Sequence, residues 1–279
     1  MQFRGVPFRP RSILRVLRAI SDSRGLSSKL TVLRCIHGWA STKLGRTPVA
    51  HEETIDFGQF KLAVDTSRAE IIPYLEIWRE HCYDLLPEFG LRSADCIVDV
   101  GANIGLFSLY QALQKKAKLI FAFEPAPSVF RRLKKNIVLN GITSVRTINA
   151  AVVGDPGKSV PFREFPMSIN SRIGLSTDPG TVMIPSVTLD SALADVSKID
   201  ILKVDAEGYE SRVLMGATET LKKTDRIVIE AVTQADREDV ASILLPSFRC
   251  VATDGDVLYY SRIFKRESSP LIAAKTARN

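Results

Sequence analysis

The sequence predicts an α/β fold: a doubly wound, mostly parallel sheet with a C-terminal antiparallel hairpin and an N-terminal helical appendage. Three observations predict it. Short apolar runs of strand length alternate with stretches of helical spacing, from Cys96 to the end of the last run near Ile263. The first run passes into a turn with two glycines, Asp99-Val100-Gly101-Ala102-Asn103-Ile104-Gly105, and the second stops on Glu124-Pro125. Strand–helix–strand units of this kind wind right-handedly into parallel sheets covered on both faces. The chain has 279 residues, 45% of them hydrophobic and 25% charged. Those proportions exclude disordered and low-complexity classes and fit one large domain, or one with an appendage.

Each element follows from its local pattern. Ser12 to Ile20 carries Ile13, Leu14, Val16, Leu17 and Ile20 on one helical side and Arg15 and Arg18 on the other, and Ser28 to Ala40 is a second helix. Thr54 to Leu62 alternates around Gly58 and predicts a hairpin, and Pro73 to Leu86 has helical spacing, with Leu75, Trp78, Cys82 and Leu85 or Leu86 on one face. Cys96–Val100, 118–123, 145–153, 199–204 and 226–231 are the expected parallel strands, with helices over 104–116, 128–140, 209–222 and 235–245. Phe248–Val251 and Val257–Ile263 close the chain as an antiparallel hairpin around Asp254-Gly255. The organisation predicted is a basic helical segment (1–46), a lead-in hairpin and helix (47–95), a main domain (96–263) and a tail (264–279). Within the main domain, 154–190 has no helical period. It is read as an insertion with short strands at Ser159–Phe162 and Val182–Leu189, near the carboxyl edge of the sheet where ligands bind.

The net charge of +7 is concentrated at one end. Residues 1–46 hold ten basic side chains against one acid, Asp22, which leaves the body close to neutral. A packed helix showing its arginines to water, a peripheral contact with an anionic membrane through residues 11–20, nucleic-acid binding and an organelle transit signal all remain open for this segment. No apolar run is long enough to span a membrane. The four Cys lie far apart without a C-x-x-C pair, which fits a reducing, cytoplasmic compartment and argues against a thiolate zinc site.

The chemistry is expected at three strand ends. In the first turn a dinucleotide-binding loop would have glycine where Asn103 stands, so a pyrophosphate, and with it NAD, is disfavoured. An adenosine cofactor with an amino-acid end, S-adenosylmethionine, fits instead, with Asp99 free to meet its ammonium. Glu124, 19 residues past Gly105, is placed to accept both ribose hydroxyls. Lys203-Val204-Asp205-Ala206-Glu207-Gly208-Tyr209-Glu210 brings charges into an apolar strand, and Lys203 and Asp205 share a strand face. Glu230 ends the fifth strand on the same edge.

With Phe123-Glu124-Pro125 and Val187-Thr188-Leu189-Asp190 added to the first and last of these motifs, the chain resembles the FkbM-type methyltransferases, within the Rossmann-like class I enzymes that use S-adenosylmethionine. The likeness runs from about Cys96 to Arg262. It implies methyl transfer, usually to an oxygen on a sugar, glycan or secondary metabolite. By position, Asp99, Gly101, Asn103 and Gly105 would line the methionine end, Glu124 the ribose, and Asp205 and Glu207 the acceptor side. Asp205 is the first candidate base, Glu207 the second and His81 the third, and Lys203 would orient Asp205 or stabilise a developing alkoxide. No third ligand joins Asp205 and Glu207, so no metal is expected. Two other functions are weighed: methylation of RNA or DNA through the basic segment, and a cofactor-binding module without catalysis. Where members of this family often have His soon after the fifth-strand Glu, Ala231-Val232 follow Glu230.

Overall fold

The computed structural model describes residues 10–68, 70–83, 86, 95–155, 157, 159–164, 172–173 and 180–263, with backbone alone for 10–14 and 172. The predicted tail at 264–279 lies outside the described residues. Two helices come first, α1 (Pro10–Asp22) and α2 (Gly25–Lys43), then the expected hairpin of β1 (Glu52–Asp56) and β2 (Lys61–Asp65) around Gly58. Ala19 of α1 is fully buried and Arg15 pairs with Glu80 at 2.6 Å, so that helix packs on the body. Among the described residues no helix is long and apolar enough to cross a membrane.

The regular helix expected over Pro73–Leu86 does not form. A short turn, α3 (Ile72–Tyr74), widens into a π-helical turn over Leu75–Arg79 and ends where His81 takes φ +56°. Tertiary packing overrides the 3.6-residue period here. The wider turn lets Trp78 stack on Phe60, with ring centroids 4.0 Å apart, while its indole N–H donates to the Leu106 carbonyl at 3.2 Å.

The main body follows the predicted alternation: β3 (Cys96–Val100), α4 (Leu106–Leu113), β4 (Leu119–Phe123), α5 (Pro127–Leu139) and β5 (Val145–Ile148). β6 (Ala151–Val152) follows, and the insertion carries β7 (Ser159–Arg163), β8 (Arg172–Ile173) and β9 (Thr181–Val187). After α6 (Leu189–Ala192) come β10 (Ile199–Val204), α7 (Glu210–Met215), α8 (Thr218–Lys222), β11 (Thr224–Glu230), α9 (Gln234–Leu244), β12 (Phe248–Asp254) and β13 (Val257–Arg262). Seven strands form the central sheet in the order β12-β13-β11-β10-β3-β4-β5, parallel from β11 to β5 and antiparallel in the closing hairpin.

Two elements differ from expectation. The third strand stops at Ile148, because Asn149 turns its amide to the carbonyls of Glu124 and Pro125 at 2.8 and 3.1 Å, and β6 then leaves to pair with β9 in a separate four-stranded sheet. The helix expected over 209–222 breaks into α7 and α8 around Gly216, where any Cβ would lie 2.3 Å from the Val153 carbonyl oxygen.

Strand residues alternate between two apolar layers. Ile97, Ile120, Ile201 and Val228 face α4, α5 and the lead-in segment, whereas Val98, Leu202, Val204 and Ile229 face α9 and the helices after β9. The hairpin joins the first layer through α5. Asn136 exchanges hydrogen bonds with the backbone of Ala63, and Asn140 does the same with Lys61, so both side chains act as strand partners for the outer edge of β2.

Candidate active site

The turn after β3 uses up its own backbone donors. Gly101 and Ala102 N–H both donate to the Phe123 carbonyl at 3.0 and 2.9 Å, Gly105 N–H donates to Ala102, and Ile104 N–H is taken by Asn103 Oδ1 at 2.8 Å. Asn103 occupies the left-handed region at φ +51°, which Asn tolerates better than most residues. Its own N–H donates to Glu124 Oε2 at 2.8 Å. A phosphate-binding loop needs such N–H groups free; these five are satisfied within the protein. Gly101, at φ +74°, is required by the neighbouring strand end as well, since a Cβ there would stand 1.8 Å from the Asp205 carbonyl oxygen.

Glu124 is buried at the end of β4, with Oε1 accepting the Ala126 N–H at 2.8 Å. Burial pushes its carboxyl up to about 7, against the opposing pull of the Ala126 and Asn103 N–H groups. Each carboxylate oxygen accepts one backbone N–H and keeps lone-pair capacity for a ligand hydroxyl.

A second group of charges lies on the face toward the lead-in segment. Asp99 and Lys203 are direct register partners on β3 and β10 and therefore point to the same side of the sheet. Lys203 Nζ lies 3.2 Å from Asp99 and 3.5 Å from Asp205, and it donates to the Gly101 carbonyl at 3.0 Å. Burial favours loss of its proton, but Asp99 and Asp205 more than reverse this and hold the ammonium above its usual range. Asp99 is wholly buried, and its Oδ2 accepts the Ser108 hydroxyl at 2.7 Å. Its Oδ1 meets the ammonium as an ion pair, with no donor aligned on it as a hydrogen bond.

One step beyond these strands stand Asp205 and Glu230, bridged by Tyr83. The Tyr83 hydroxyl lies 3.5 Å from Asp205 Oδ2 and 3.3 Å from Glu230 Oε2, while its ring packs edge-on against Phe107. Tyr259 of β13 donates to the Cys82 carbonyl and so holds this stretch in place. Burial, and next the charge of Asp205, raises Glu230 to about 7.

The turn after β10 is shaped by Glu210, whose Oε1 accepts the N–H groups of Ala206 and Gly208 at 2.9 and 3.1 Å. This holds Glu207 at φ +52° and Gly208 at φ +90°. A glutamate in the left-handed region is strained, and such strain persists where surrounding structure imposes it. Crowding lifts the Glu207 carboxyl above the ordinary range, through burial first and then Asp205 and Glu230. The residue as a whole is exposed, so solvent screens much of that effect. Asp190 of the Val187–Asp190 motif works structurally: it accepts the N–H groups of Glu219 and Thr220 and ties α6 to the start of α8.

One open cleft gathers these pieces, lined by Gly101, Asn103, Glu124, Asp205 and Glu207, with Phe162 and Ile173 of the insertion along another wall. Five of the eight residues expected at the site therefore meet in it. Asp99 and Lys203 lie behind the lining, sealed in their ion pair. Asp99 thus has no open side for a ligand ammonium, and Lys203 none for an alkoxide. Gly105 packs under α5, where a Cβ would come within 2.6 Å of Leu133. His81 is turned away, with Nδ1 3.1 Å from the Tyr110 hydroxyl. The sequence pattern carries no signal for Tyr83, which precedes β3 on an irregular turn. Among the described residues no three acidic, His or Cys side chains are placed to hold a metal ion.

The cleft fits an adenosine cofactor without phosphates: a strand-end carboxylate for vicinal hydroxyls, apolar Phe162, Ile173 and Val152 for a base, and acids but no free loop N–H groups at the glycine turn. The comparisons agree. A family described as the methyltransferase FkbM domain matches residues 99–259. The chain is 31% identical over 191 residues to methyltransferase SdnD of Sordaria araneosa, covering 56% of this chain and 72% of that protein. It is 30% identical over 154 residues to the hexuronic acid methyltransferase AglP of Haloferax volcanii (54% and 61%). To the 31-O-demethyl-FK506 methyltransferase FkbM of Streptomyces tacrolimicus it is 27% identical over 205 residues (62% and 78%). A solved methyltransferase FkbM from Methylobacillus flagellatus superposes with TM-score 0.46 at 16% identity, covering 90% of this chain and 59% of that one. With the family match running over more than half of its length, from β3 through to β13, the chain belongs to the FkbM family of methyltransferases, which take their methyl group from S-adenosylmethionine.

Proposed function

We propose that the enzyme methylates a hydroxyl oxygen on a sugar, glycan or secondary metabolite, with Asp205 as the general base. The observation that carries this reading is the carboxylate of Asp205 on the cleft wall, with the Lys203 ammonium behind it and the Tyr83 hydroxyl above it. A hydroxyl becomes an adequate nucleophile when a positioned base takes its proton as the new bond forms. S-adenosylmethionine supplies the activated methyl group. Asp205 accepts the hydroxyl proton, Lys203 and Tyr83 hold the Asp205 carboxylate in place, and Glu207 stands beside the acceptor on its strained turn. Glu124 receives the ribose hydroxyls. The activities named for AglP, on a hexuronic acid, and for FkbM, on 31-O-demethyl-FK506, support an oxygen acceptor of this class.

Thermal unfolding with S-adenosylmethionine, its demethylated product and NAD tests the donor half. A ligand at about 100 times its Kd adds roughly 2.7 kcal/mol of stability, so both methionine-derived ligands should raise Tm by several degrees. NAD should not, and Glu124→Ala should weaken the shift. A shift with NAD alone would overturn the assignment of Glu124 and the glycine turn. Transfer of labelled methyl to a panel of hexuronic acids, neutral glycosides and polyketide alcohols tests the acceptor half, and labelling of nucleic acid alone would replace it.

The pH dependence has a defined sign. The folded Glu124 carboxyl titrates near 7, against an ordinary value of 4.5, so the ligand-free protein keeps a proton that the unfolded chain loses first. This group therefore makes the ligand-free protein less stable as pH rises from 4.5 through 7. Cofactor affinity should move the opposite way, because the ionised carboxylate accepts two hydroxyl donors. Kd is expected to fall by up to about tenfold per pH unit below 7 and to level off above it. Titration calorimetry across pH 5.5–8 would check this, and Glu124→Gln should flatten the profile.

A further inference from the structure

Helix α2 carries large apolar side chains on its solvent face. Its buried positions are Ser28, Thr31, Val32, Cys35, Gly38 and Ser41, mostly small or polar residues. Its solvent side carries Leu26, Leu30 and Leu33, which are 74%, 42% and 47% exposed. Leu44, at the C-cap, is 74% exposed and stands on the same line, roughly 16 Å past Leu33 and beyond exposed His37. Exposed Leu17 of α1 adds to the apolar surface of this end of the molecule.

The helix cannot roll to hide these leucines, because its inner face is keyed to the hairpin. Ser28 Oγ accepts the Asp56 N–H at 3.0 Å, Thr31 donates to Glu53 at 2.5 Å, and Gly38 sits so close to Thr66 that a Cβ would be 2.0 Å from its carbonyl oxygen. Three neighbouring leucines fixed outward in this way mark a contact with something else.

The charges beside the stripe say what that contact is. From Arg24 to Ala50 there is no acidic residue, while Arg24, Lys29, Arg34, Lys43 and Arg46 are basic. Arg34 is paired with Glu53 and Lys43 lies over the Trp39 ring, but Lys29 and Arg46 make no ion pair with a described residue. Asp22, the one acid before this stretch, is turned to the Tyr74 hydroxyl and Arg79. An apolar stripe with a basic border is the pattern of a helix lying in the headgroup region of an anionic bilayer. A symmetric pair of such faces would bring like charges together with no acid between them.

We propose that α2 docks flat on an anionic lipid surface, with Leu26, Leu30, Leu33 and Leu44 entering the headgroup–acyl boundary and Lys29, Lys43 and Arg46 meeting lipid phosphates. This places the contact on α2, beyond the α1 residues 11–20 that the sequence alone suggested. It stands independently of the acceptor assignment.

The test is sedimentation of the full chain with vesicles of phosphatidylcholine alone, or of phosphatidylglycerol and phosphatidylcholine mixed about 3:7. The protein should partition onto the anionic vesicles and not the neutral ones. Partitioning should fall roughly tenfold or more in Leu26→Ser/Leu30→Gln/Leu33→Gln, and also in Lys29→Glu/Lys43→Glu. Both variants should keep the wild-type Tm and affinity for S-adenosylmethionine, which shows that they fold. Failure of the wild type to bind anionic vesicles would overturn the proposal, as would equal binding by the leucine variant. So would a dimer in analytical ultracentrifugation that the leucine variant abolishes without any vesicle binding.

Discussion

Asp205→Asn is expected to slow methyl transfer by about 10²–10⁴-fold, the range a positioned general base contributes. Cofactor affinity should change by less than about threefold, because the residue proposed to meet the ribose is Glu124, at the end of a different strand. The amide keeps the size of the side chain and an oxygen for the Lys203 ammonium, which now lies 3.5 Å from the carboxylate, so the fold should survive. Single-turnover rates beside calorimetric Kd values separate the two effects. A rate within a few-fold of wild type would remove Asp205 from the role and leave Glu230, bonded to the same tyrosine, as the next base to test.

Lys203→Met is expected to damage folding more than chemistry. The ammonium is sealed between two carboxylates and a backbone carbonyl, and its loss leaves Asp99 as an uncompensated charge with no access to water. Breaking a buried pair from one side costs about 3–5 kcal/mol, which in a chain of this size is a fall in Tm of roughly 10 °C or more. Adding Asp99→Asn to the same protein should recover at least half of that loss, because the orphaned charge is gone. A double-mutant cycle read by calorimetry gives the coupling directly. Equal and additive losses from the two substitutions would show that the pair is not a unit.

The parts of the site legible in the sequence are those set by near neighbours in the chain. The glycine turn, Glu124 at the next strand end, and Asp205 two places after Lys203 each follow from a strand period and the residue that stops the strand. All three meet at one cleft edge. Asp99 belongs to the same motif, yet it points inward. That outcome depends on β10 lying beside β3 with Lys203 in register opposite Asp99, a neighbour relation between residues about a hundred positions apart. Tyr83 is illegible for a different reason. Its placement comes from a π-helical turn and from Tyr259 of the last strand, and a helical period drawn through Pro73–Leu86 passes over it as one more core aromatic. The motifs that hold Glu210 and Asp190 are visible as motifs, but the work of these two side chains is backbone capping, which residue type alone does not distinguish from catalysis.

Tyr83 reaches Asp205 and Glu230 from a position that precedes the family match at 99–259. On the proposed assignment the donor half of the cleft is thus written in the shared stretch, whereas part of the roof over the reacting side is written in a segment that relatives need not share. Divergence in those first eighty-odd positions can re-tool the acceptor side while the donor side stays untouched. Kinship measured over the shared stretch therefore reports what gives the methyl group far better than what receives it.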